Sequence, residues 1–248
     1  MAKRSIIFLG SKPIGYHCLE YLIAQQSDLQ LELKGILCHE NTSFASANSL
    51  KALAEQHQIP IFKTLDEMPS VDILYSVQYH EILKPKHISK ANQIAVNLHM
   101  APLPEYRGCN QFSFAIIDGK IEFGTTIHQL DAQIDNGDIL FEKRFPIPVD
   151  CWIDELYTIT YQASLELFKE TLKDIVNGNY IPVTQASLIA ERGTQLHFRK
   201  EINDIKHIDL DWASEKIERH IRATSMPGFE PPYTIINQKK VYFTEKWQ

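Results

Sequence analysis

Cysteines and long hydrophobic runs are both scarce in this chain. Four cysteines stand far apart among the 248 residues and form no Cys-x-x-Cys pair, so we expect reduced thiols rather than a disulfide framework. No segment approaches the roughly 20 apolar residues that span a bilayer. The apolar run after the basic N-terminus, IIFL, is too short for a signal peptide. These absences predict a cytoplasmic protein without membrane contact.

An excess of charge of one sign is also missing. The chain has 25 Lys and Arg against 31 Asp and Glu, which gives a formal net charge of −6. A mildly acidic chain has no overall field that attracts DNA or tRNA, so we expect no nucleic-acid partner, although a local basic patch stays open. Apolar residues make up 44%, enough for the core of one large domain or of one domain with an appendage.

Buried-strand patterns alternate with helix patterns over roughly the first 180 residues. The runs SIIFLG, LELKGILCH, VDILYSV and QIAVNLHM predict strands, with helices in GYHCLEYLIAQ and SANSLKALAEQHQ. EFGTTIHQLDA and FEKRFPI predict two further strands, the second one antiparallel, and Trp152–Asn177 gives the clearest helix. This alternation predicts the α/β class, with a Rossmann-like, mostly parallel sheet and helices on both faces.

The composition changes after about residue 180, where charge rises and long apolar runs stop. WASEKIERHIRA predicts a short helix and YTIINQKKVYF a β-hairpin. We therefore predict a main domain over residues 1–180 and a C-terminal appendage over residues 181–248. The appendage is too small to bury the apolar residues of its hairpin alone, so they must pack on the main domain or on a second subunit.

Two polar residues stand near the end of the fourth predicted strand, in the stretch VNLHMAPLPEYRG. Residues two apart in a strand point to the same face, so Asn97 and His99 should project side by side. Pro102 and Pro104 cannot continue a central strand and predict a stiff loop. Functional residues in α/β proteins often lie at strand ends. Taken alone, however, this pattern indicates a structural role about as often as a functional one.

A glycine-bounded turn, GSKPIG, follows the first predicted strand. It lacks the second glycine of Gly-x-Gly-x-x-Gly, which argues against a nicotinamide-dependent reductase, and it does not match the P-loop pattern. Backbone N–H groups at the helix N-terminus and the charge of Lys12 would suit a phosphate. Taken alone, the GSKPIG pattern more often indicates an ordinary strand-to-helix turn than a phosphate site.

A second polar cluster lies in GTTIHQLDAQIDNGDIL. It contains His128, Asp131, Asp135 and Asp138, which together with His99 raise the question of a metal site. No His-x-His or His-x-x-x-His spacing supports one, so we expect no metal. A loop carboxylate beside His99 would instead orient the imidazole, set its tautomer and stabilise its protonated form.

The two stretches NLHMAPLPEYRG and GTTIHQLDAQIDNGDIL, at this spacing, resemble the motifs of the formyltransferases that use 10-formyltetrahydrofolate. The shared pattern is Asn-x-His, a Leu-Pro and Arg-Gly loop, then Gly-x-Thr-x-His and Asp-x-Gly. The resemblance implies 10-formyltetrahydrofolate as the formyl donor. It also implies Asn97, His99 and Asp135 as the catalytic residues.

The resemblance continues beyond the main domain. HFRKEINDIKHIDLDWASEKIERHIRATSMPG resembles the linker of methionyl-tRNA formyltransferases, but we expect no OB-type tRNA-binding domain in the roughly 25 residues that follow. The stretch HMAPLPEYRGCNQFSFAI is more similar to the sugar-nucleotide N-formyltransferases, which serve surface polysaccharides such as the O-antigen of lipopolysaccharide. This likeness implies a nucleotide-linked amino sugar as acceptor, with dTDP-4-amino-4,6-dideoxyhexose as first choice, and a homodimer.

Two sets of binding residues also follow from the resemblance. The folate pocket would be lined by the loop after the third strand and by the loop that carries Asp135, that is, by Tyr79, Glu81, Ile82, Leu83, Ile134, Asn136 and Asp138. The acceptor would be held by Ser11, Lys12, Tyr106, Arg107 and Asn110, with GSKPIG at the diphosphate. For Tyr106 and Arg107, anchoring of their own loop is the alternative.

Formyl transfer to an amine passes through a tetrahedral intermediate with a developing oxyanion. Asn97 and a protonated His99 could donate hydrogen bonds to that oxygen, and His99 could also carry the protons that the reaction moves. One alternative is a formyltransferase for another amine, either a GDP- or UDP-linked amino sugar or a non-sugar. The other is a ligand-binding module of the same fold, against which the complete trio argues.

Overall fold

A six-stranded mixed sheet organises the part of the chain that the computed structural model describes, residues 3–39 and 49–244. The strands are β1 Arg4–Gly10, β2 Leu31–Cys38, β3 Val71–Val77, β4 Ala91–His99, β5 Tyr106–Gly108, β6 Glu122–Gln129, β7 Ile139–Pro146, β8 Gln195–His197, β9 Tyr233–Ile236 and β10 Lys239–Tyr242. The helices are α1 Lys12–Gln25, α2 Leu50–Gln56, α3 Pro85–Ile88, α4 Gln111–Ile117, α5 Ile153–Asn177, α6 Ile189–Arg192, α7 Ile202–Ile205 and α8 Ser214–Thr224. Within these described ranges, no helix is long and apolar enough to cross a membrane.

The main sheet has the strand order β2-β1-β3-β4-β6-β7. The β1–β2, β1–β3 and β3–β4 pairs are parallel, whereas β4–β6 and β6–β7 are antiparallel. The predicted α/β class with a mostly parallel sheet is therefore confirmed, and so is the antiparallel strand predicted from FEKRFPI. Each predicted strand is present with small shifts at its ends, because buried strands are marked by continuous apolar runs.

The two faces of the sheet are covered unequally. Along β1, Ile6 and Phe8 belong to the core on the first face, which is shared with α1, α2 and α5 and is called here the first-face core. Ile7 and Leu9 belong to the core on the opposite face, the second-face core. Among the described residues, that second core is closed by short pieces: the 3-10 turn Leu65–Glu67, α3 and the loop after β3. Side chains at the strand ends of the second face are therefore not packed under a long helix.

The predicted helices are present with adjusted bounds. Helix α5 begins one residue later than predicted and ends at Asn177, as predicted; it is capped by Gly178, whose left-handed φ of 75° lets its N–H bond back to the last turn. Helix α2 is the described part of SANSLKALAEQHQ, and Ser49 caps it by accepting a hydrogen bond from the Ala52 N–H at 3.0 Å. The first three residues of that predicted segment, 46–48, lie outside the described residues.

The chain beyond α5 returns to the main sheet before it forms the appendage. Val183 exchanges two backbone hydrogen bonds of 2.8 Å with Ile139 at the start of β7, and β8 then pairs in parallel with β5. The predicted hairpin is formed by β9 and β10, with Asn237 and Gln238 at φ 49° and 63°, as a type I′ turn requires. The β5–β8 pair was not predicted, because three-residue strands show no periodicity.

Replacing Ile175 with alanine should lower the free energy of unfolding by about 2–5 kcal/mol, because this α5 side chain is fully buried in the first-face core. The matched control is Ile121→Ala, since Ile121 is 84% exposed; its cost should stay within about 0.5 kcal/mol. Urea unfolding followed by circular dichroism would measure both changes. Equal losses in the two variants would contradict this placement of α5.

Candidate active site

The end of β4 presents Asn97 and His99 on the second face of the sheet. Val96 and Leu98 point into the first-face core, and Ala95 belongs to the second-face core, so the alternation of the strand turns Asn97 and His99 to the side of Ala95. The prediction that these two side chains share a face is confirmed by this alternation. His99 is almost fully buried, whereas Asn97 is partly exposed.

The antiparallel neighbour β6 adds a second histidine to this face. His128 lies directly opposite Asn97 in the ladder, and Thr126 lies opposite His99. Nδ2 of Asn97 is 3.2 Å from Nε2 of His128, a contact that cross-strand neighbours on one face readily make. His128 was considered only as a metal ligand from the sequence. The Gly-x-Thr-x-His motif contains His128, but only the pairing of β4 with β6 shows that Asn97 is its neighbour.

Asp135 brings a carboxylate between the two imidazoles. Its Oδ1 lies 3.4 Å from Nε2 of His128, and its Oδ2 lies 3.6 Å from Nδ1 of His99. Oδ2 also accepts a hydrogen bond of 2.9 Å from the Gly108 N–H at the end of β5. Asn97, His99 and Asp135, predicted from separate segments, are thus brought together in the structure, with His128 as a fourth member.

The charge of Asp135 is set by competing effects. Burial, the largest effect, raises the pKa of this carboxyl. The charge of His99, the hydrogen bond and charge of His128 and the Gly108 N–H all lower it, and together they hold the pKa of Asp135 well below its usual range. The group is therefore an ionised carboxylate that faces two imidazoles.

The tautomer of His99 is fixed by a backbone carbonyl. Nε2 of His99 lies 2.7 Å from the carbonyl oxygen of Tyr106, and a carbonyl can only accept, so Nε2 carries a hydrogen. Nδ1 is then the nitrogen that faces Asp135 and can gain or lose a proton. The expectation that Asp135 sets the tautomer is wrong: the Tyr106 carbonyl sets it, and Asp135 lies beside the other ring nitrogen, Nδ1.

The same argument applies to His128. Its Nδ1 lies 2.7 Å from the carbonyl of Gln129 and therefore carries a hydrogen. Its Nε2 accepts from the Asn97 amide in the neutral form and donates to Asp135 in the imidazolium form. His128 thus connects the amide of Asn97 with the carboxylate of Asp135.

The proline-containing loop between β4 and β5 is held by its own side chains. Tyr106 is 2% exposed, and its hydroxyl donates to Asp118 at 2.8 Å; burial and then this hydrogen bond raise the pKa of Tyr106 far above its usual value. The Arg107 guanidinium donates through Nε and Nη2 to the carbonyl of Ile134, at 3.0 and 2.8 Å. Both side chains make the anchoring contacts named as the alternative, and a contact of Arg107 with the acceptor stays a prediction.

The residues predicted for the folate pocket occupy two loops, one after β3 and one after β6. Ile134, Asn136 and Asp138 flank Asp135, and the Asn136 amide donates to Asp131 at 3.1 Å. In the loop after β3, Leu83 is buried in the second-face core, to which Tyr79 and Leu130 also pack. Ile82 is 69% exposed, and Glu81 lies 3.2 Å from His80. Residues of both loops pack on the second-face core, but the contact of the loops with folate stays a prediction.

The residues predicted for the acceptor lie at the start of α1 and near the linker that follows α5. The Ser11 hydroxyl is buried without a hydrogen-bond partner in the described chain, and Nζ of Lys12 donates to Gln78 Oε1 at 2.9 Å. Desolvation of its ammonium and then the charge of Arg199 lower the pKa of Lys12. The Asn110 amide donates to the Phe198 carbonyl at 2.9 Å. Lys12 and Arg199 therefore create a positive region beside the strand ends.

Backbone conformations around this site are unusual for residues other than glycine. Lys12, Gln78, Asn110 and Asp135 all have left-handed φ values, of 61°, 51°, 59° and 46°. Such residues carry local strain and concentrate at functional sites. Lys12 and Gln78 follow β1 and β3, which are parallel to β4, so they lie at the edge of the sheet where β4 ends at His99, and Asp135 reaches His99 from the loop after β6. This clustering supports that edge as the functional one. Within the described ranges, no group of three side chains that could hold a metal ion is found.

Comparison with known proteins identifies the family. The sequence profile described as Formyl transferase matches residues 22–172, more than half of the chain. This chain belongs to the formyl transferase family. The resemblance inferred from the two motifs is thereby confirmed, and the protein is a formyltransferase.

Relatives of this formyltransferase act on different acceptors. The methionyl-tRNA formyltransferase of Staphylococcus epidermidis is 26% identical over 246 residues, which cover 95% of this chain and 77% of that protein. The GDP-perosamine N-formyltransferase of Brucella melitensis is 27% identical over 172 residues, 69% of this chain and 63% of that protein. A solved N-formyltransferase from Helicobacter canadensis, in complex with folinic acid and dTDP-3-aminofucose, is 25% identical with a TM-score of 0.78, and the match covers 97% of this chain and 86% of that one.

The stabilising effect of ionised Asp135 should depend on pH. A carboxyl whose pKa is lowered in the folded protein contributes stability above its unfolded value of about 3.9, and loses that contribution as the pH falls through the folded pKa. The difference between the free energies of unfolding of the wild type and of Asp135→Asn should therefore decrease as the pH is lowered from about 5 to the acid limit of folding. Urea titrations at several pH values would measure it. Asp138→Asn, in the same loop, is the control, and a difference independent of pH would contradict the assignment.

Proposed function

We propose that this formyltransferase transfers the formyl group of 10-formyltetrahydrofolate to the amine of a nucleotide-linked amino sugar. The observation that carries the proposal is the convergence of Asn97, His99, His128 and Asp135 at one end of the sheet. The four groups combine a hydrogen-bond donor, a proton-exchanging imidazole and a carboxylate within a few ångströms. That set matches what acyl transfer to an amine needs, because the nucleophile comes from the substrate.

The proposed reaction begins with attack of the neutral amine on the formyl carbon. The carbonyl oxygen becomes an oxyanion, which the Asn97 amide stabilises by donating a hydrogen bond; such a donor contributes about 3–4 kcal/mol in comparable sites. Nδ1 of His99 takes the proton that the attacking amine loses, and Asp135 stabilises the imidazolium that results. When the carbon–nitrogen bond to folate breaks, the same proton passes to the leaving N10 nitrogen.

The folate is proposed to lie between the loop after β3 and the loop that carries Asp135. Tyr79, Leu83 and Leu130 pack around one apolar cluster and would support the flat pterin. Glu81, Ile82, Ile134, Asn136 and Asp138 complete the proposed contacts. The folinic acid bound by the Helicobacter canadensis relative supports a folate donor, since folinic acid is a formylated tetrahydrofolate.

The acceptor is proposed to place its diphosphate near Lys12 and Arg199, beside the N-terminus of α1. Two cations and a helix N-terminus suit a diphosphate, with Ser11, Arg107 and Asn110 nearby. We propose dTDP-4-amino-4,6-dideoxyhexose as the first acceptor, formylated for surface polysaccharide synthesis. The dTDP-3-aminofucose in the Helicobacter canadensis structure makes a 3-amino sugar the second candidate, and the GDP-perosamine enzyme a GDP-linked sugar the third.

A homodimer without a nucleic-acid partner completes the proposal. Ile235, Ile236 and Val241 of the hairpin are each close to half exposed, which leaves apolar surface for a second subunit. Light scattering would give the mass in solution. The net charge of −6 supports a small acceptor over tRNA.

The deciding experiment is a formyl-transfer assay with 10-formyltetrahydrofolate and a panel of acceptors. The panel contains dTDP-4-amino-4,6-dideoxyglucose, its galacto epimer, dTDP-3-aminofucose, GDP-perosamine and initiator methionyl-tRNA. We expect turnover with a dTDP-linked amino sugar and none with the tRNA. Turnover of the tRNA alone would overturn the sugar proposal. If no acceptor of the panel is formylated, the amino-sugar proposal is wrong and other amines become the candidate acceptors.

His99→Ala should lower turnover by about 10²-fold or more and leave folate binding largely intact, because the imidazole exchanges the proton of the reaction. Folate binding would be followed by isothermal titration and turnover by the assay above. His17→Ala is a suitable control, since His17 lies on α1 and pairs with the exposed Glu20. Near-normal turnover of His99→Ala would refute the assigned role.

A further inference from the structure

We infer that Gln185 is a positioning residue, which holds the loop of Asp135 in the shape that places its carboxylate between the two imidazoles. The inference rests on the proposed role of Asp135, and Gln185 itself touches no reacting atom. It lies in the 3-10 turn Gln185–Ser187, shortly after the end of α5. Neither the sequence motifs nor the predicted binding residues included it.

The side chain of Gln185 makes two hydrogen bonds to the loop backbone. Its Nε2 donates to the carbonyl of Asp135 at 2.9 Å and to the carbonyl of Gly137 at 2.8 Å. An amide nitrogen has two hydrogens, so both are used. The residue is 4% exposed, and in such a position hydrogen bonds are not exchanged easily for water.

The loop needs such support because its backbone is constrained. Asp135 has a left-handed φ of 46°, which costs free energy for any residue except glycine. At Gly137 a Cβ atom would lie 2.1 Å from the carbonyl oxygen of Gln129, so the loop passes very close to the end of β6. A turn this tight keeps its shape only where its surroundings fix the backbone groups.

Gln185 and Arg107 bind different carbonyl groups of the loop. The Arg107 guanidinium binds the carbonyl of Ile134, and the N–H of Gly108 binds the carboxylate of Asp135. Gln185 binds the carbonyls that follow. The bridge between Val183 and Ile139 sets the register of the linker against β7. It thereby places Gln185, two residues further along, beside the loop.

The orientation of the Gln185 amide is determined by this contact. Its Oε1 is buried without a hydrogen-bond partner among the described residues, beside a cavity of about 300 Å³. The reverse orientation would point Oε1 at two carbonyl oxygens, which repel it. The site therefore requires a donor of this length, and a carboxylate of the same shape does not satisfy it.

The experiment compares Gln185→Glu and Gln185→Met with Ser187→Ala in the full chain. The first two remove both donors with little change of size. The control lies in the same turn, and its hydroxyl binds only the Thr184 carbonyl in the described structure. Spectra of protein labelled with ¹³C at aspartate carboxyls would follow the titration of Asp135, assigned by Asp135→Asn. This first measurement requires no substrate.

We expect the titration of Asp135 to move to higher pH in Gln185→Met, which adds no charge, and to stay unchanged in Ser187→Ala. The reason is that a displaced carboxylate loses the charges of His99 and His128 and the N–H of Gly108, which lower the pKa of Asp135. In Gln185→Glu the titration should move further, because the new carboxylate itself also raises the pKa of Asp135. Arg107 also lies beside this loop, and Asp131 and Asp138 line the cavity. The same comparison in the Asp131→Asn and Asp138→Asn backgrounds would show whether either carboxylate causes the shift.

The second measurement is kinetic. A displacement of about 1 Å at a catalytic group can cost about 10²-fold in rate, so kcat should fall by that order in both Gln185 variants, while KM for the acceptor changes little. If the Asp135 titration and kcat both match Ser187→Ala, the inference is wrong. If the titration shifts while the wild type formylates no acceptor of the panel, the positioning role stands and the proposed function fails.

Discussion

The largely desolvated carboxylate of Asp135, whose side chain is 15% exposed, is the group on which the rest of the site depends. Taking an ionised carboxyl out of water is strongly unfavourable unless opposite charge and hydrogen bonds compensate for it. Here His99, His128 and the N–H of Gly108 provide that compensation, and they come from β4, β6 and β5. All three strands must therefore be in place for the carboxylate to be compensated inside the folded protein.

The linker beyond α5 takes part in the same arrangement. Strand β8 pairs with β5, and the pairing is so close that a Cβ atom on Gly108 would lie 2.2 Å from the carbonyl of His197. Through this contact the linker fixes the N–H that binds Asp135, and through Gln185 it fixes the carbonyls of the same loop. Arg192 adds an ion pair of 3.0 Å with Glu142 of β7. A division of the chain near residue 180 describes its composition, but the proposed catalytic groups are held by residues on both sides of it.

The parts of the site that could be predicted from the sequence are those with a local pattern. The apolar runs predicted the strands, and the period of a strand predicted the shared face of Asn97 and His99. The family resemblance supplied Asp135. The roles of His128 and Gln185 and the carbonyl of Tyr106 could not be predicted, because each depends on which segments lie side by side. His128 meets Asn97 through antiparallel pairing, and Gln185 reaches its loop through a single bridge to β7; neither contact leaves a periodic trace in the sequence.

The hydrophobic core selects the register on which the chemistry depends. In the β4–β6 ladder, Leu98 pairs with Ile127, and both side chains are fully buried in the first-face core. A slip of one residue would turn them to the opposite face and would bury Asn97 and His128 among apolar side chains. Because that slip is so unfavourable, the apolar pair also fixes Asn97 opposite His128 and His99 opposite Thr126. The geometry of the polar face is thus specified by fully buried apolar residues on the other face.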